Sequence, residues 1–403
     1  MATERTATPV PATGDVPRTD DAGPVPAARI SLDAVITLLT HRPISLYAAS
    51  VLRIGYGLCY LVFLLREFPH RDEIWGPDSP WTPALATRLF DQTGWFSFLT
   101  LSDSMVYFDL CYLAALAVCA LFLLGWRTRA MSVVFALVVA SFHARAIFMT
   151  DGGDNLILLM ALYLTATACG RRWSLDARRI ARRARTGRPG RWALWRATSD
   201  LWSQFGMARE CLVTALHNCG MFVIAAQVCL LYGSAGLYKV QGASWQAGTA
   251  LHYVVNLDLF RPWPALSALL DSYPLLLTAV GYLTVLIQVA FPFSLFSRLK
   301  YVLLVMLLGM HLSIAVLMGL PLFSAAMIVA DAAFLPDRFY RAAARAAARA
   351  LTGLRTPEPM TSFRRIPAVP RQPDNSRPLG QDAGPVLATE PVPEPGRPAR
   401  AEP

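Results

Sequence analysis

Charge is scarce in this chain: of 403 residues 16% are charged against 55% apolar, and the mean hydropathy is positive. That balance lies outside the soluble globular class, in which charged residues make up about a quarter. Lysine is almost missing. Of 37 Lys and Arg residues only Lys239 and Lys300 are lysines; arginine stays charged in proteins, whereas a buried lysine can release its proton. The seven cysteines are scattered through apolar stretches without a CxxC pair, which argues against a zinc centre and against a disulfide framework. No Gly-rich phosphate loop, HExxH helix or nucleophile elbow occurs. The first forty residues lack the basic, apolar and small-residue order of a cleavable signal peptide, so the first apolar helix is expected to remain in the mature protein.

What the chain does have is long apolar runs. A membrane helix needs about 20 largely apolar residues, and eight segments qualify, near 44–65, 105–125, 130–149, 155–170, 211–238, 274–296, 301–319 and 321–336. The expected fold is all-α, a polytopic membrane bundle of about eight crossings over residues 44–336. Residues 1–30 and 356–403 are rich in Pro and Ala without an apolar period and read as disordered tails. Between tail and bundle, 31–43 reads as an interfacial amphipathic segment, and 337–355 as a basic amphipathic cytoplasmic helix.

A formal charge of +10 would suggest nucleic acid as partner of a soluble protein. Here the charge sits in loops beside apolar runs, so the lipid bilayer is the expected partner and nucleic acid is not. The loop 171–196 holds ten arginines against one acid, Asp176. Cytoplasmic loops carry the basic excess, which puts this loop inside. The same alternation puts Arg127, Arg129, Arg298, Lys300 and the arginines of 338–349 inside, with both termini. The expected location is the cytoplasmic (plasma) membrane, crossed several times. Outer loops then cover 66–104 and 240–273; the second, with Trp245, His252 and Trp263 in moderately apolar sequence, either hangs free or dips into the interface.

Ionisable groups within apolar helices are costly, so each is a functional candidate beside its architectural reading. Lys239 closes the fifth segment, 22 residues after His217, or about 33 Å along a helix. It stands at the outer end, either as a reactive amine or snorkelling to the interface. Gly233, Ser234, Ala235 and Gly236 before it allow close approach of a helix or of a flat ligand; Gly236, Tyr238 and Trp245 are the candidate ligand contacts. His143 lies in the outer half of the third segment. Asp154 opens the fourth after Asp151-Gly152-Gly153, as an N-cap or as an acid held at the outer rim. His311 sits in the middle of the seventh and must face the bundle, as a satisfied core histidine or as a functional group. Arg53 and Asp331 read as architectural charges. His217 has no second ligand at helical spacing, so no metal is expected.

Several segments occur in a familiar order: Arg53-x-x-x-Gly57; Gly153-Asp154 followed by an apolar helix and Trp173-Ser174-Leu175-Asp176; Ala235-Gly236-Leu237-Tyr238-Lys239 with Trp245 and Gly248; and His311 with Phe323-Ser324. From Arg53 to about Leu335 the chain thereby resembles the bacterial HTTM (horizontally transferred transmembrane) domain family, related to the membrane part of vitamin K-dependent γ-glutamyl carboxylase. The resemblance implies a membrane enzyme that works with a reduced quinone of menaquinone or vitamin K type at an outward-facing pocket. Lys239 falls on the lysine regarded there as the base, and His143, Asp154 and His311 would assist. The chain has Tyr238 where the carboxylases carry a second lysine, Asp154 in place of a histidine, and a Pro-rich tail instead of their large lumenal domain. The SdpB-like branch of the same family implies the alternative: maturation or export of a peptide or small secreted protein, without redox chemistry. No internal repeat favours a transporter.

Overall fold

A computed structural model describes residues 37, 39–186 and 200–353; the predicted tails 1–30 and 356–403, most of 31–43 and residues 187–199 of the arginine-rich loop lie outside the described residues. Among the described residues there is no strand. Each of the eight apolar segments is helical: α1 Leu46–Arg66, α2 Met105–Leu124, α3 Thr128–Arg145, α4 Gly152–Ala166, α5 Asp200–Gln241, α6 Pro274–Phe293, α7 Leu299–Leu317 and α8 Pro321–Asp331. The basic segment after them is helical as well, α9 Asp337–Gly353. Five of these, α1, α2, α5 (from Gln204), α6 and α7, are long and apolar enough to cross a membrane. α4 and α8, of 15 and 11 residues, are apolar but shorter.

The buried face of α1 recurs at helical spacing, with Ala49, Leu52, Arg53, Tyr56, Tyr60 and Leu64 inside, while Leu58, Val62 and Leu65 on the other side are exposed. Both faces are therefore apolar. Leu275, Phe293, Phe222 and Val106 are likewise exposed on α6, α5 and α2, and apolar surface on this scale marks contact with lipid or with another protein.

The short α8 packs on α1, α4 and α7. It comes close to α1 because Gly55 faces Val329 with no room for a side chain, and the Tyr56 hydroxyl donates to the Ala326 carbonyl at 3.0 Å. α5 packs mainly along α6, where a Cβ on Gly236 would stand 2.7 Å from Val289 Cγ2. The small residues before Lys239 thus receive a helix.

At the end where α2 turns into α3, Arg53 reaches out of α1 and donates from Nη2 to the Trp173 carbonyl at 2.6 Å. Gly125, which ends α2 at φ +70°, lies against that guanidinium and Ser174. Asp176 then caps α3, accepting from the backbone N–H groups of Arg127 (3.1 Å) and Thr128 (2.7 Å). Nearby, buried His217 accepts at Nδ1 from the Ala168 N–H (3.1 Å), which leaves Nε2 to donate to the Ile44 carbonyl (2.6 Å). Asn218 donates to the Leu39 and Arg42 carbonyls. The pair clamps the chain as it enters α1. Arg53 and Asp331 find separate partners.

The two long connections at the opposite end are structured. In 66–104, Trp75 donates from Nε1 to the Phe142 carbonyl (3.1 Å), and fully buried Arg145 donates to the Gly76 carbonyl (2.9 Å) and to Ser79 Oγ (2.8 Å). Segment 240–273 folds into short helices against α6, tied by Tyr282 to the Gln246 carbonyl and by Trp263 to the Val316 carbonyl of α7. His252 pairs with Asp271, and the Asn256 amide together with the His252 ring holds the Asp271 carboxyl below the usual carboxylate range.

Gly125 meets two penalties at once, a left-handed backbone and the Arg53 side chain. Gly125→Ala is expected to lower stability in detergent by at least about 2 kcal/mol. Gly94→Ala, also left-handed at φ +74° but with no atom within 4 Å, should cost only about 1 kcal/mol. Parallel thermal unfolding of the two variants checks the difference.

Candidate functional site

His143 and Asp154 come from different helices and line one cavity of about 230 Å³ at the end of the bundle where α1 and α3 finish and α4 begins. Its walls are largely apolar, with the rings of Tyr60, Phe63, Trp75 and Phe142 beside Ile74, Val139 and Met149, and Arg66 and Glu67 line it as well. Trp75 forms a wall because its indole is fixed to the Phe142 carbonyl; Arg145 holds the following turn in place. His143 is buried, with its ring 6.2 Å from that of Trp95.

Asp154 is positioned by a capping box. Asp151 is the N-cap of α4, and its carboxylate accepts from the Gly153 and Asp154 N–H groups at 2.6 and 2.9 Å. The Asp154 carboxylate returns to the Asp151 N–H at 3.0 Å. Asp154 is thus the third residue of the helix and not its cap. One of its oxygens is spent on the backbone, and the side chain is half-buried at the cavity wall.

His311 joins a second constellation, deeper in the bundle. The Tyr232 hydroxyl of α5 lies 3.0 Å from His311 Nε2 of α7 and 3.0 Å from Asp331 Oδ2 of α8, to which it donates. A hydroxyl has one proton to give, so His311 Nε2–H donates to Tyr232 while Tyr232 donates to Asp331. With Asp331 protonated the whole chain reverses, and both arrangements keep every bond. All three residues are buried, and His311 Nδ1 and Asp331 Oδ1 have no partner among the described residues. Tyr232 and Asp331 belong to this site as well; the sequence offers Asp331 only as an architectural charge, and an aromatic hydroxyl within an apolar helix carries no signal until its neighbours are known.

Lys239 stands apart from both. Its amine lies 3.4 Å from the Ala235 carbonyl one turn back and 5.4 Å from the centre of the Trp245 ring, a cation–π pairing. Trp245 is presented by the one-turn helix Ala243–Gln246. Tyr238 points outward, 81% exposed, and Gly236 is covered by α6. Lys239 does not line the His143–Asp154 cavity. Among the described residues no group of three or more His, Cys, Asp or Glu could hold a metal ion.

Arg53 donates to the Trp173 carbonyl, and Gly153 lies on the Phe323 backbone, whose ring packs edge-on to His311 at 6.0 Å. No family model, no curated protein and no solved structure matches this chain.

If the Tyr232 hydroxyl carries the buried chain, Tyr232→Phe should destabilise the protein by about 1–2 kcal/mol. Combined with Asp331→Leu, it should show a coupling energy above roughly 0.5 kcal/mol. A double-mutant cycle in detergent unfolding measures it; additive losses would leave the three groups as mere neighbours.

Proposed function

We propose that the chain is a multi-pass membrane protein of eight crossings, with both termini in the cytoplasm of a bacterial cell. We further propose that its outward-facing cavity binds the ring of a reduced quinone for proton-coupled chemistry. The observation that carries the reading is the placing of His143 and Asp154 together in one aromatic-walled space. At about 230 Å³ the space is smaller than the roughly 300–1,000 Å³ of sites for drug-sized ligands, a size suited to a ring rather than to a peptide. Aromatic walls suit a flat conjugated ring, and two titratable groups of different kind suit transfer of its hydroxyl proton.

A quinol would supply the reducing equivalents and the acidic ring hydroxyl. His143 is the acceptor for that proton, because an imidazole nitrogen can take one up and the side chain lines the cavity. Asp154 has one oxygen held by the Asp151 N–H; the other, which has no hydrogen-bond partner among the described residues, is the one to orient the ring. Lys239, the base that the HTTM resemblance implies, stands outside the cavity lining and pairs with Trp245. Its replacement therefore separates the cavity reading from the family reading.

Topology is tested by impermeant maleimide on intact spheroplasts carrying single cysteines in an otherwise cysteine-free chain: Asp103→Cys should label and Arg178→Cys should not. The reverse pattern, or equal labelling, would overturn the orientation. For the cavity, purified protein should retain menaquinol, with His143→Gln and Asp154→Asn each weakening binding about tenfold; under air, turnover should yield quinone epoxide. Lys239→Arg should leave binding intact and abolish epoxide only if the amine is the base. No quinone retention by the unaltered protein would remove the proposal.

A further inference from the structure

A second cavity, of about 610 Å³, opens at the end of the bundle opposite His143 and Asp154, between the start of α3, the α4–α5 connection and the first half of α5. Six arginines line it, against two carboxylates. We propose that this cavity binds a phosphate-bearing anion, and that its resident ligand is the headgroup of an anionic phospholipid. The inference rests on the membrane topology proposed above and is independent of the quinone cavity.

The two carboxylates are already engaged. Asp176 accepts from the Arg127 and Thr128 N–H groups and from the Thr128 hydroxyl, with Arg179 at 3.7 Å. Glu210 takes Arg171 at 2.7 Å and Arg209 at 3.4 Å. Among the described residues Arg129 and Arg183 have no carboxylate within 4 Å, and Arg127 lies over the ring of its neighbour Trp126. Arg129 is close enough to Arg171 and Arg209 to feel both charges. Cations converging on one concave space repel one another unless an anion sits between them, and guanidinium forks match phosphate oxygens in pairs. Arg179 and Arg183 are one turn apart on the helix Leu175–Arg185, so both face the cavity.

The headgroup is favoured over a free anion by what surrounds the arginines. Ile180, 67% exposed, and Ala130 and Val213 give the cavity an apolar ledge. Exposed apolar side chains such as Leu212 and Leu216 continue from it along α5. A diacyl phosphate would place its charge among the arginines and its chains along that face, the arrangement by which basic pockets between membrane helices hold anionic lipid on the cytoplasmic side.

The experiment uses the full chain in phosphatidylcholine nanodiscs with a minor fraction of spin-labelled phosphatidylglycerol, followed by electron paramagnetic resonance. A motionally restricted component is expected for phosphatidylglycerol and not for spin-labelled phosphatidylcholine. The pair Arg129→Gln with Arg183→Gln should weaken it about tenfold or more. The pair Arg341→Gln with Arg345→Gln, which removes the same charge from α9, should leave it within about twofold. Calorimetric titration of inorganic phosphate into phosphatidylcholine-only discs runs beside it. Restriction that phosphate does not displace supports the lipid as ligand; phosphate binding lost only in the cavity pair supports the site with a soluble phosphate compound as its source. Equal losses in both pairs, or neither lipid restriction nor phosphate binding, would overturn the site, and the sided labelling above distinguishes that failure from a wrong topology.

Discussion

An oxygen or nitrogen buried between apolar helices has no water to bond, so it must find another polar atom or exact a cost of about 1–3 kcal/mol. Much of the architecture follows from how this chain meets that demand. The Tyr232 hydroxyl gives His311 and Asp331 a shared partner and thereby ties α5, α7 and α8 at one level. Arg53 turns from its helix to the Trp173 carbonyl. Arg145 spends its charge on the Gly76 carbonyl and Ser79 of a loop. In each case a group that would be intolerable alone in hydrocarbon becomes a fastening between elements far apart in the chain.

The same fastenings shape the cavities. Because Arg145 and Trp75 pin the first long connection to the end of α3, aromatic rings stand over His143 and Asp154 instead of moving with a loose loop. At the other end, Asp176 is fully occupied in capping α3 and Glu210 in holding two arginines, which leaves a basic space with its acids used up. One end therefore offers a nearly neutral aromatic site with two titratable groups, and the other an anion site. The proposed functions differ because of how the polar atoms are paired, since both cavities sit on the same scaffold of apolar helices.

Periodicity and composition determined a good deal by themselves. The eight apolar runs coincide with helices to within a few residues at most ends, because a run of about 20 apolar residues has few ways to satisfy its backbone other than by helix. α5 is the exception. It extends from Asp200 to Gln241 where apolarity begins only near 211, since polar flanks prolong a helix without changing its hydropathy. The scarcity of lysine and the crowding of arginine in 171–196 were equally visible, and so were His143, Asp154 and His311 as costly groups in apolar sequence.

Which of those groups work together was decided only by the tertiary structure. Sequence spacing cannot bring His143 of α3 to Asp154 of α4 around one cavity, or separate Lys239 from it by folding its amine back on Trp245. Nor can it disclose that Asp151 rather than Asp154 is the cap, that α6 takes up the room beside Gly236, or that Tyr232 stands between His311 and Asp331. The physical reason is one of range: hydrophobic periodicity is set within a few turns of one helix, whereas a hydrogen bond between residues 79 or 99 positions apart exists only once helix packing has fixed which faces meet.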